Sequence, residues 1–298
     1  MDVKVMSTMK RFAISWLTIA ALLAPLGIAH AQEVQVEGPL AGAPAVIGLR
    51  VYREMRFQIQ LQMTASLEDA YSRALVPGAQ LMFHPTDWLG IGIWGGYAVA
   101  NIDSALTEEI EAKGQTNIVN VLSVPNAKLY STQIGRISWF AAPQLQFIPL
   151  RGKLGIFEKL FVDTDFYLVG GVGIAGIEER ADVSADVTND CRSRGDLAAQ
   201  IGCFQETQDD RSTRVAIAPT FGAGISLYMA DFLSLTLEWR AMPFAWNTSG
   251  TDEAGDARGD YPDNAIDEKD HLSHFNHMFT LGFAFYLPTE PKISSVDN

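Results

Sequence analysis

Residues 274–287 read His-Phe-Asn-His-Met-Phe-Thr-Leu-Gly-Phe-Ala-Phe-Tyr-Leu, and this period of two narrows what the chain can fold into. Phe275, His277, Phe279, Leu281, Phe283, Phe285 and Leu287 fall on one face. Asn276, Met278, Thr280, Gly282, Ala284 and Tyr286 fall on the other. Successive side chains of a strand point to opposite sides. The aromatic face therefore needs a second sheet to cover it, as in a soluble sandwich, or lipid, as in a membrane barrel.

The stretch 56–64 decides between them. Phe57, Ile59, Leu61 and Met63 alternate with Gln58, Gln60, Gln62 and Thr64. Three glutamines on one face are costly in a dry core and suit a wet or hydrogen-bonded lumen. Similar alternation predicts strands over 75–84, 89–100, 136–149, 161–177, 214–229 and 232–246. The connections alternate too. Tight turns are expected at 85–87, 149–153 and 230–231, and long polar loops at 101–135, 178–212 and 247–273, with 117–124 open as an extra strand. Short turns on one side and long loops on the other are the habit of membrane barrels. The expectation is an all-β fold: an eight-stranded antiparallel up-and-down transmembrane β-barrel with long extracellular loops.

Lys4, Lys10 and Arg11 precede the apolar run 12–28 and the small-x-small site Ala29-His30-Ala31. This is the pattern of a secretory leader cut after Ala31. The expected order is a signal peptide at 1–31, a periplasmic lead-in at 32–53, an outer-membrane barrel domain at 54–287 and a periplasmic tail at 288–298. Past the leader, no stretch approaches the ~20 apolar residues of a helical span. The formal charge of −13 becomes −15 when the leader takes one acidic and three basic residues with it. Such acidity argues against nucleic acid as a partner. Cys191 and Cys203, the only cysteines, share one polar stretch of an exported chain and are expected to form a local disulfide.

Several short motifs carry a resemblance. They are Arg56-Phe57 with Glu68-Asp69-Ala70-Tyr71, Phe83-His84-x-x-Asp87-x-Leu89-Gly90, Pro149-Leu150-x-Gly152-Lys153, and Asp165-x-Tyr167 leading into Gly170-Gly171-x-Gly173. In order and spacing they resemble the outer-membrane β-barrel domain family of myxobacteria and their relatives, itself similar to small OmpA-type barrels. The resemblance runs from about residue 50 to Leu287 and lacks the peptidoglycan-binding domain of OmpA. It implies a barrel set in the outer membrane and no enzymatic activity. The ending Gly282-x-x-Phe285-x-Leu287 resembles the strand signal read by the outer-membrane assembly machinery.

The candidate site is a lumen charge network of Asp163, Asp165, Glu238 and Arg240, all on inward faces. An eight-stranded barrel is just wide enough for side chains to fill, and buried charges need partners, so ion pairs plugging the lumen outweigh a catalytic carboxylate pair. Glu253, Asp256, Asp260, Asp263, Asp267, Glu268 and Asp270 crowd the last loop without regular calcium-loop spacing, and read as a solvated acidic loop. His84 borders a turn and reads as structural, and His274 and His277 differ in parity. No G-x-S-x-G, H-E-x-x-H or phosphate loop occurs, so no cofactor or metal is expected. Expected partners are outer-membrane lipid and lipopolysaccharide, the assembly machinery, and an envelope protein meeting the acidic loops. The alternatives are a lipid-modifying enzyme, a narrow solute channel, or a soluble lipocalin-like carrier.

Overall fold

The computed structural model describes residues 52–67, 70–114, 121–125, 130–156, 160–255 and 261–290. The leader, most of the lead-in, the Glu68-Asp69 turn, Asp256, Asp260 and the end of the tail lie outside the described residues. In chain order the elements are β1 (Arg56–Ser66), β2 (Ser72–His84), β3 (Leu89–Tyr97), β4 (Ala100–Asp103), α1 (Ala105–Lys113), α2 (Tyr130–Gln133), β5 (Arg136–Ile156) and β6 (Leu160–Arg180). Then follow α3 (Ala185–Ser193), α4 (Leu197–Asp209), β7 (Arg211–Ala230), β8 (Leu233–Ala241), β9 (Phe244–Trp246), β10 (Leu272–His274) and β11 (His277–Leu287).

Eight of these strands close into an antiparallel ring, β1-β2-β3-β5-β6-β7-β8-β11, as the alternation predicts. The seam pairs the first strand with the last, from Phe57 opposite Leu287 to Ser66 opposite Met278. Pairing around a full ring leaves no edge, which a strand in lipid requires. The period-two pattern then sorts side chains inside out. On β1, Gln58 and Gln60 are 2% and 1% exposed, while Phe57 and Leu61 are 58% and 61% exposed. On β11, Thr280, Ala284 and Tyr286 are buried while Phe279, Leu281, Phe283 and Phe285 stand outward. Each such apolar side chain would forfeit about 1.5–3 kcal/mol if left in water. Lipid removes that penalty, and glutamines inside make no sense otherwise. The wall is a transmembrane one.

Several local details differ from the sequence expectation. The turn expected at 149–153 lies inside β5, whose pairing with β6 shifts register between Phe147 and Leu150. Pro149 sits at that irregularity, where a residue without an N–H costs the ladder least. A second shift, between Ile137 and Trp139, turns Ile137 inward and buries it rather than setting it beside Trp139 on the outer face. The third strand stops at Tyr97 and resumes as β4, which pairs with the first residues of β2. β9 and β10 extend β8 and β11 with unchanged register, Ala241 facing His277 and Phe244 facing His274. Asn276 lies between β10 and β11 with φ 47°, in the left-handed region that asparagine tolerates.

The long loops, expected to be polar, carry α1 to α4. Each of the longer helices has a side-chain cap: Ser104, Ser184 and Asp196 accept from the N–H of Thr107, Val187 and Ala199. Of the possible extra strand at 117–124, residues 121–123 form a turn, and 117–120 lie outside the described residues. Inside the barrel, a glycine is required at 224, because a Cβ there would lie 2.4 Å from the Tyr167 ring. Leu61→Arg puts a charge mid-strand on the lipid face and is expected to cost about 2–4 kcal/mol. Denaturant unfolding in lipid vesicles measures it, and Leu61→Phe serves as the tolerated control.

Candidate functional site

The lumen contains two separate charge clusters. At the end with the short turns, Arg53 enters from just ahead of β1. Its backbone N–H donates to Asp87 Oδ1 at 2.7 Å, as does that of Glu54 at 3.0 Å. Met55, with φ 57°, then redirects the chain into β1. The Arg53 guanidinium is fully buried, 3.0 Å from Asp165 Oδ2. Its Nε donates to the Tyr228 hydroxyl, which donates to Asp165 Oδ2 at 2.9 Å. The rings of Tyr228 and Tyr286 lie 5.4 and 5.3 Å from the guanidinium carbon, a cation–π arrangement. Below it, Arg56 donates to the carbonyls of Tyr52, Asp231, Pro288 and Thr289, tying both ends of the barrel chain together.

Deeper in, Arg240 donates through Nε and an NH2 group to Glu238 Oε1, at 2.9 and 2.7 Å. Both side chains are shut off from solvent. The Arg240 guanidinium lies 3.9 Å from the Trp94 ring centre, and Trp94 in turn stacks on Phe140 at 4.0 Å. His84 Nε2, at the end of β2, meets Gln58 Oε1 of β1 at 2.9 Å, and along β1 Gln58 donates to Gln60 and Gln60 to Gln62. Around this ladder, the Gln80 amide, Arg240 NH1 and Trp94 Nε1 have no hydrogen-bond partner among the described residues. Buried polar atoms of this kind are the places internal water occupies.

At the other end the loops form a folded cap. Val121, Leu122, Val183, Phe204 and Ile266 make a small core of their own around the disulfide joining Cys191 in α3 to Cys203 in α4. Val183 and Ile266 bridge two of the loops through paired backbone hydrogen bonds. Arg180, buried at the end of β6, donates to Gly250 O at 3.0 Å and to Thr207 Oγ1 at 2.9 Å. Asp270 accepts from the backbone N–H groups of Glu253, Ala254 and Asp267. Asp252 accepts from Asn264 N–H and Ser123 Oγ. The stretch 247–253 thus folds around its own polar groups.

No family model matches the sequence, and no curated protein matches it. Among solved structures, the chain is similar to the N-terminal β-barrel domain of Pseudomonas aeruginosa OprF, with TM-score 0.38 and 8% identity over 78% of this chain and 98% of that one. It is also similar to the outer membrane protein OprG of the same organism, with TM-score 0.38 and 8% identity over 79% and 97% of the two chains. The Yersinia pestis attachment invasion locus protein Ail gives TM-score 0.31 and 8% identity over 78% and 99%.

Of the four residues expected to form one lumen network, Asp165 belongs to the turn-end cluster and Glu238 and Arg240 pair deeper in. Asp163 joins neither. It is half-buried, with its Oδ1 3.9 Å from Lys153 Nζ. Gly282 faces the lumen against Gln60, while Phe285 and Leu287 face outward. Asp270, expected in a solvated loop, is instead buried, its carboxylate accepting from three backbone N–H groups. Sequence reasoning missed Arg53. Its signal was an arginine three residues ahead of a strand whose inward residues are all polar.

Two measurements follow. Arg53→Ala strands the buried Asp165 carboxylate and is expected to cost about 3–5 kcal/mol. The double change with Asp165→Asn should recover part of that, and denaturant titration of the refolded barrel reads both. In the cap, burial raises the pKa values of the Asp252 and Asp270 carboxyls above the ordinary carboxylate value, against the hydrogen bonds that lower them. Their folded forms therefore bind protons more readily than the unfolded chain. The stability they contribute is full below the unfolded value and fades as pH rises through the folded one. Asp267, held down first by the Lys269 N–H, acts oppositely and only at lower pH. Cap amides should thus become better protected from hydrogen exchange as pH falls toward the carboxylate range, and Asp252→Asn should flatten the trend.

Proposed function

We propose that this chain is an outer-membrane β-barrel protein without enzymatic activity, whose folded, acidic loop cap is the surface that meets an envelope partner. The observation that carries the reading is the combination of an oily wall with a filled lumen. Arg53 and Asp165 close one end, and Glu238, Arg240 and Trp94 fill the middle. A barrel that spends its interior on paired charges is built to stand in a membrane and present its ends. The motif resemblance to the myxobacterial outer-membrane β-barrel domain family supports the same reading, as does the Gly282-Phe285-Leu287 ending for recognition by the assembly machinery. The loops would lie outside the cell and the short turns on the periplasmic side. A narrow solute channel is the second reading, favoured by the unpartnered polar atoms around Gln80.

The test is electrophoresis of membrane fractions with and without boiling, followed by planar-bilayer recording of the purified barrel. The expected result is a heat-dependent mobility shift confined to the outer-membrane fraction, and a flat current trace. Stepwise conductance would instead establish the channel. Recovery in the soluble periplasm without a shift would remove the membrane assignment and favour the lipocalin-like carrier.

A further inference from the structure

The outer wall carries one groove that the lumen and the cap do not explain. It lies on the faces of β5, β6 and β7 near the loop end, with a volume of about 390 Å³, lined by Tyr97, Trp139, Gly176, Thr213 and Val215 among others. Gly176 creates it: the Trp139 indole lies across that position, and a Cβ there would come within 2.1 Å of its Nε1. Tyr97 and Val215 stand outward at 64% and 57% exposure. Gly176 pairs with Trp139 on one side and Val215 on the other.

Two residues further toward the loops, the wall changes character. Glu178 pairs with Arg136 on β5 and with Thr213 on β7, so these three flank the groove's upper lip. Arg211 reaches over from β7, its Nε 3.3 Å from Glu178 Oε1, and also donates to the carbonyls of Thr132 and Ile134. Arg211 thus pairs with Glu178, while Arg136 donates through an NH2 group to Ser131 O at 2.9 Å and lies 3.8 Å from Asp103. The Nε of Arg136 is shut off from solvent and has no hydrogen-bond partner among the described residues. Successive residues of a strand rise about 3.3 Å, which places this charged lip roughly one headgroup away from the apolar groove.

We propose that this groove is a specific site for one lipid of the leaflet at the loop end, a lipid whose phosphate gives the headgroup a net negative charge that no headgroup cation cancels. The phosphate would meet the partly exposed guanidinium of Arg136, with Arg211 held beside it by Glu178, Thr132 and Ile134, and one acyl chain would lie over Gly176 between Tyr97, Trp139 and Val215. Tyr and Trp rings at the headgroup level, with arginine above them, match the polarity gradient of the interface. Guanidinium suits phosphate because its planar donors can bond two oxygens at once. The proposal rests on the membrane reading above, and its test separates the two.

The full barrel is refolded into phosphatidylcholine vesicles containing a minority of phosphatidylglycerol, extracted in mild detergent, and weighed by native mass spectrometry with its retained lipid. The expected result is one retained phosphatidylglycerol per barrel, in preference to phosphatidylcholine. Arg136→Gln should lower that retention about tenfold, the size of one lost charge-assisted hydrogen bond, and Arg136→Lys should restore part of it. Trp139→Ala should weaken both lipids. Heat-dependent mobility of every variant checks that the barrel has closed, and inorganic phosphate in excess should leave the lipid in place. Equal retention of the two lipids, an unchanged ratio in Arg136→Gln, or displacement by free phosphate overturns the site while leaving the barrel standing. Failure of the native chain to enter vesicles overturns the membrane reading and the site together.

Discussion

The antiparallel pairing of β1 with β11 is the interaction on which the rest depends. Ten residue pairs along it convert an eight-stranded sheet into a ring. Without them two edges of unpaired N–H and C=O groups would face hydrocarbon, each unmet group at a cost of several kcal/mol. Once the ring is closed, curvature leaves a narrow interior, and the period of two decides what enters it. Gln58, Gln60 and Gln62 go in because Phe57, Ile59 and Leu61 must go out.

Closure also explains the two lumen clusters. Charges in a narrow interior cannot be hydrated freely, so each needs a partner within reach. Glu238 and Arg240 are two residues apart on one strand and share a face, so they partner locally. Asp165 has no such neighbour, and its partner comes from outside the ring, as Arg53 on the chain ahead of β1. The tyrosines around it, 228 and 286, supply a hydroxyl and ring faces that a guanidinium can use. The upper lumen, by contrast, is lined by Trp94, Phe140, Met242 and Trp246 beneath the cap, and packs as an ordinary apolar core.

The ring and its sidedness were legible because they rest on local pattern. Alternation over 56–64 and 274–287 states the strand, the buried face and the exposed one within a few residues. What the pattern could not show were features set by contacts far apart in sequence. Arg53 meets residues more than a hundred positions away, and nothing beside it announces them. The expected turn at 149–153 failed because Pro149 marks a strand irregularity, which looks the same in sequence as a turn, while Gly152 pairs regularly with Thr164. The loop helices were hidden by low hydrophobicity, although Ser184 and Asp196 are capping residues in plain view. Asp270 looked solvated because its partners are backbone groups, which carry no sequence signature.

Arg56 has a consequence for how the molecule could be rewired. Its guanidinium holds the carbonyls of Tyr52, Pro288 and Thr289, so the chain leaves the ring within a few ångströms of where it enters. The barrel is, in effect, a loop of chain with a small gap, and the gap lies on the turn side. A peptide bridge of a few residues could join the two ends there, and the ring could be reopened at Asp231, in the tight β7–β8 connection. The strands would keep their neighbours and register in a chain of different order, because cyclic sequence, not the starting residue, is what the barrel encodes.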